Sequence, residues 1–151
     1  MTVVNGYTTV LALADRLHLE DSDDDTTLES IINAVSRLID RHCGRRFYST
    51  TADETRYYTA TDPSVLHAPD DILSVTTLKT DDNADGVYET TWTAGTDYHL
   101  WPYNATLDGE PYTQIKVSPA TTKTFPLGDK GVQIVGKFGY CASNAQPAQV
   151  T

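Results

Sequence analysis

The chain has 151 residues, with 11 Lys plus Arg against 21 Asp plus Glu and a formal net charge of -10 at pH 7. A length of this order suggests one domain able to bury about 70% of the surface its unfolded form exposes. The surplus of acid argues against a stand-alone binder of nucleic-acid phosphates.

Cys43 and Cys141 make no metal-type pair and no disulfide framework, and they read as free thiols in a reducing compartment. The first apolar run lacks a basic opening and is cut short by Asp15, so no signal peptide is expected. No stretch approaches membrane-spanning length.

Near the N-terminus, Val10, Leu13, Ala14 and Leu17 repeat the helical spacing over two turns, with Thr8 or Thr9 available as a cap. An acidic turn, Glu20 to Asp25, follows and places negative charge at the positive start of a second helix. In that helix Leu28, Ile31, Ile32, Val35, Leu38, Ile39 and His42 fall on one stripe, which needs a partner surface. Thr26 and Glu29 stand in the relation of a capping box, and Gly44 suits the left-handed residue that closes a helix. Arg41, Arg45 and Arg46 lie at the negative end of its dipole. Arg45 and Arg46 have a second reading, contact with an acidic partner surface or with passing DNA.

After Tyr48 threonine, tyrosine, valine, glycine and proline take over, and eleven of the fourteen aromatic residues lie beyond residue 50. Strands are expected at Glu54 to Thr59, Ser64 to His67, Ile72 to Lys79, Tyr88 to Thr93, Asp97 to Trp101, Gln114 to Val117 and Val132 to Phe138, separated by Gly, Pro, Asp and Asn clusters. Apolar residues alternate in the last two, as in strands with one face buried and one face wet. The expected class is α+β, a helical hairpin at about 7–46 followed by a small antiparallel sandwich or barrel-like sheet at about 50–141. The whole reads as one domain over 1–151, with 142–151 as an extended tail.

The most chemically suggestive loop is Asp81-Asp82-Asn83-Ala84-Asp85-Gly86, where oxygen ligands at alternate positions precede a glycine, as in a calcium loop. Asp81, Asn83 and Asp85 are its candidate ligands, but Trp92 stands where the bidentate Glu should close the site. The same residues are what a hairpin turn demands, and that reading is preferred. His18, His42, His67 and His99 lack the close spacing of a zinc site. No serine sits in a Gly-x-Ser-x-Gly elbow and no phosphate-binding glycine loop occurs, so no catalytic residue is named and no enzyme is expected. Asn104-Ala105-Thr106 fits the glycosylation pattern, which arises often by chance. Tyr98, Trp101, Tyr103 and Tyr112 are either the filling of a small β core or a platform for a sugar or a base. The platform reading, with the weak calcium loop, defines an alternative function, a soluble β-rich carbohydrate-binding module.

From Arg37 to Tyr48, RLIDRHCGRRFY, the chain resembles the head-tail connector proteins of tailed bacteriophages, also called head-completion or adaptor proteins. The resemblance spans about residues 7–141. It takes in the capped first helix, the acidic turn, the Cys43-Gly44-Arg45-Arg46-Phe47-Tyr48 ending, the Asp71 to Val75 strand, the Asp97 to Asn104 segment and Gly139-Tyr140. It implies a structural virion protein without enzymatic activity, located at the head-tail interface and in the host cytoplasm during assembly. That protein would form a twelvefold homo-oligomeric ring beneath the portal protein, extend the DNA channel without sequence-specific binding, and dock the tail or a stopper, with no membrane involved. Arg45, Arg46, Phe47, Tyr103 and Asn104, within these motifs, are the candidate partner-binding residues. Family members commonly continue past the Gly-Tyr region into further helices that meet the portal, whereas this sequence ends at Thr151.

Overall fold

The computed structural model of the chain describes residues 2–141, so the expected tail at 142–151 lies outside the described residues. These residues form two compact units, 2–48 and 49–141. The first is helical and the second is built on a β-sheet, an α+β architecture. Among the described residues no helix is long and apolar enough to cross a membrane.

In the helical unit, α1 spans Val10–Leu17 and α2 spans Asp25–Cys43. Thr9 caps α1, its hydroxyl accepting from the Ala12 N–H at 3.1 Å, which satisfies one of the free donors of the first turn. His18 closes α1 in the left-handed conformation. Gly44 closes α2 at φ 62, a value favoured by a residue without Cβ, and its N–H donates to the Asp40 carbonyl. The expected capping box does not form the start of α2. The cap lies two residues earlier, Asp24 is the N-cap without a side-chain cap hydrogen bond, and Thr26 already lies in the first turn.

The buried face of α2 also differs from the expected stripe. Leu28, Ile32 and Ser36 are buried, whereas Ile31, Val35, Leu38 and Ile39 are exposed. The reason is polar. Residues 2–7 run along α2, with the Val4 N–H donating to Asn33 Oδ1 at 2.9 Å and the Tyr7 N–H to Ser36 Oγ at 3.1 Å. Arg37 donates to the Asn5 carbonyl at 2.9 Å, and Gly6 sits where a Cβ would collide with Val3 and Ile32. These bonds seat the N-terminal segment along α2, and of the expected stripe only Leu28 and Ile32 face inward.

The β unit is a six-stranded sheet of β1 (Glu54–Tyr58), β2 (Val65–Thr80), β3 (Thr90–Trp92), β4 (Tyr98–Trp101), β5 (Tyr112–Val117) and β6 (Val132–Phe138). A four-residue helix, α3 (Ala105–Asp108), lies between β4 and β5. The strand order is β1-β6-β2-β5-β4 with β3 also on β2, every strand pairing is antiparallel, and the sheet is not closed into a barrel.

Two expected strands, Ser64 to His67 and Ile72 to Lys79, are one. β2 runs through the Pro69-Asp70-Asp71 turn signal because its pairing with β5 shifts register between His67 and Ile72, and its pairing with β6 begins at Ile72. A proline lacks a ladder donor, and it is tolerated at such an irregularity. One long strand therefore serves β5 with its first half and β6 and β3 with its second. Leu66, Ile72, Leu78, Ile115, Val132, Ile134 and Phe138 form the fully buried centre of the core, with Tyr58, Trp92, Tyr98 and Phe125 around them. Gly136 is required on β6 beside the irregular stretch of β2, since a Cβ there would run into the Ser74 carbonyl.

Candidate functional site

The candidate residues fall at three places. At the end of α2, the Tyr7 hydroxyl donates to Asp40 Oδ1 and accepts from the Phe47 N–H at 3.2 Å. Arg37 Nε lies 2.9 Å from Asp40 Oδ2, and the Arg37 guanidinium stands 4.6 Å from the centre of the Tyr48 ring. Arg46 stands over the same ring at 5.2 Å, and the Tyr7 and Phe47 rings meet edge to face at 5.9 Å. The segment after the helix is thus clasped by Tyr7, a residue forty positions earlier, and this fixes where Arg45, Arg46 and Phe47 leave the helix. Burial, followed by the hydrogen bond to Asp40, pushes the Tyr7 hydroxyl up to about 12.

The acidic loop between β2 and β3 brings Asp81, Asp85 and Glu89 together, with a carboxylate oxygen of each within 4.8 Å of the others. Asn83, an expected ligand, is outside this set. Its Oδ1 accepts from the Asp85 N–H at 3.1 Å and its amide donates to Asp85 Oδ2 at 3.2 Å. Asp81 is buried, and its two oxygens accept the N–H groups of Asp85 at 3.2 Å and Gly86 at 2.8 Å. Oxygen donors of this kind suit a hard cation. The same oxygens are already engaged in holding the turn, and Trp92, at the closing position of the calcium pattern, is buried in the core with its Nε1 donating to Thr80 Oγ1 at 3.0 Å.

The four aromatic residues weighed as a platform do not share one face. Tyr98 is buried and Tyr112 packs against the core, while Trp101 and Tyr103 meet edge to face at 4.7 Å outside it. Strand alternation separates Trp101 from Tyr98, because His99 and Trp101 point away from the face of Tyr98 and Leu100. Lys116, paired with His99 across the strands, places its Nζ 3.6 Å from the centre of the Trp101 ring and covers it. Tyr103 is exposed, and Asn104 is the N-cap of α3. Of the partner-binding candidates, Arg45, Arg46 and Phe47 therefore belong to the helical unit, and Tyr103 and Asn104 to the β unit.

Two features had no signal of their own in the sequence. One is the exposed row of Ile31, Val35 and Leu38, which period alone assigns to the core. The other is the anchor of the segment between β5 and β6, where Lys123 Nζ lies 2.7 Å from Asp97 Oδ2 and donates to the Thr91 carbonyl at 2.9 Å.

No family model and no curated protein matches the sequence. Among solved structures the chain is similar to a chain in the neck of an empty GTA particle computed with C6 symmetry, with a TM-score of 0.59 and 18% identity. The match covers 97% of this chain and 71% of that one, so the two share a fold from the helical unit through the sheet.

Proposed function

We propose that the chain is a structural adaptor at the head-tail junction of a phage-like particle, forming a ring that prolongs the DNA channel from the portal and carries the tail or a stopper. The observation that carries this reading is the extent of the fold match. It runs over 97% of the chain to a component of a particle neck, a GTA being a phage-like gene transfer agent. The helix ending at Gly44 and the motif residues after it, which resemble the connector family, support the same reading independently of that structure. A ring of six copies and a ring of twelve are both compatible with sixfold symmetry, so the neighbour's C6 neck supports a cyclic assembly of either size. A formal charge of -10 suits a conduit whose wall must release DNA rather than hold it.

No reaction is assigned, because the buried polar groups described above serve turns, strand ends and the α2 terminus. The test is the mass and symmetry of what co-purifies with a tagged copy from particles, by native mass spectrometry and electron microscopy. A ring of this chain stacked on a portal is the expected result. A lone monomer recovered from intact particles overturns the reading and leaves a likeness of fold alone.

A further inference from the structure

The exposed part of the α2 stripe carries a groove. Ala34, Val35 and Leu38 line a groove of about 410 Å³ whose other walls are Arg37 and Arg41. Val35 is 47% and Leu38 63% exposed, so this apolar floor lies open beside the exposed Arg41, while Arg37 is paired with Asp40.

The opposite end of the same unit carries the complementary feature. Leu17, the last residue of α1, is 54% exposed, and the turn that follows it holds Glu20, Asp21, Asp23 and Asp24 on the surface. An apolar knob beside four carboxylates is what an apolar groove with an exposed guanidinium group at its rim would accept.

Within one chain the two ends do not meet. From Asp25 to Arg41 the helix rises about 24 Å, at ~1.5 Å per residue. That is about three screening lengths at physiological salt, where one length is ~8 Å. The acidic turn and the exposed Arg41 are therefore each available to another molecule, whereas Arg37 is held within its own chain by Asp40 and the Asn5 carbonyl.

Resting on the adaptor reading, we propose that the occupant of the α2 groove is a second copy of this chain, presenting Leu17 and its acidic turn to Val35, Leu38 and Arg41. The contact joins two different patches and is heterologous. Repeated around an axis it closes into a ring, and each copy uses one knob and one groove. The exposed apolar row on α2 thus becomes the seam between ring neighbours.

The test is disulfide trapping in assembled particles. In a Cys43→Ser, Cys141→Ser background, Leu17→Cys and Leu38→Cys are placed in the same chain, and far-UV circular dichroism checks that the fold is kept. Oxidation followed by non-reducing electrophoresis is expected to give a ladder of covalent oligomers extending to the full ring, with no ladder from either cysteine alone. Dimers as the largest species overturn the proposal, because a symmetric pairing gives no more than two copies. Monomer bands from particles that do contain the chain overturn it while leaving the adaptor reading intact. Absence of the tagged wild-type chain from particles overturns the adaptor reading and this inference with it.

Discussion

Trp92 and Phe125 lie face to face, with ring centroids 4.7 Å apart and planes 4° from parallel. One comes from the short strand β3 and the other from the long segment between β5 and β6, so the stack pins that segment onto the sheet. Phe125 is 1% exposed. Phe125→Ala removes the stack and leaves a cavity, and it is expected to cost about 3–5 kcal/mol. Denaturant unfolding followed by tryptophan fluorescence reads this directly, and a loss below about 1 kcal/mol contradicts the assigned packing.

The same segment has a polar anchor with a pH signature. The Lys123 ammonium, the Thr93 N–H and the Thr121 hydroxyl hold the Asp97 carboxyl below its ordinary value. A depressed value means that the unfolded chain binds the proton more readily. The contribution is therefore present above the unfolded carboxylate range and is lost as pH falls through the folded value. Lys123→Met is expected to lower the melting temperature at pH 7 and to flatten its decline between about pH 5 and 3. Melts at stepped pH compare the slopes, and equal slopes in the two proteins refute this role for Lys123.

Tyr7 makes the opposite prediction at the alkaline end. Its folded value is raised from 10.0 to about 12 by burial and then by Asp40. Its contribution is intact below the unfolded value and disappears as pH rises through the folded one. Tyr7→Phe removes the hydrogen bonds to Asp40 and from Phe47, and is expected to cost about 1–2 kcal/mol at pH 8. The gap to wild type should shrink by pH 11. Tyr58 is raised too, by burial and by Asp70, so the variant retains part of the alkaline loss. A gap that widens with pH is the contrary outcome.

Asp81 separates a turn-former from a cation ligand. Its oxygens accept the N–H groups of Asp85 and Gly86, so Asp81→Ala is expected to destabilise the β2–β3 connection by about 1–3 kcal/mol with no calcium added. Wild type should melt at the same temperature with and without millimolar calcium. A rise in melting temperature that depends on calcium and vanishes in Asp81→Ala points instead to a ligand role.

Local chemistry carried a good deal of this fold. Thr9 before Val10 and Gly44 after Cys43 act within one helical turn, and both ends are where the sequence places them. β6 spans Val132–Phe138 as its alternation predicts, because half-burial of a strand has a period of two whatever its neighbours are. Elsewhere a local signal met a competing one. Pro69 with two aspartates reads as a turn, yet β2 continues because the shift in pairing removes the need for a ladder donor there. Asp81, Asn83 and Asp85 follow a ligand pattern, yet the third carboxylate of the cluster is Glu89, at the ninth position of that pattern, and Asn83 is outside it.

By itself the sequence determined the division into a helical part and a β part, the start of α1 and the end of α2, and the strands whose alternation is clean. These depend on contacts a few residues long. The tertiary structure decided which side of α2 is buried, that two strands are one, and that Lys123 meets Asp97. Each depends on groups far apart in the chain, whose pairing no local period encodes. Asn33 and Ser36 receive the N-terminal segment on α2, and Val35 and Leu38 face outward.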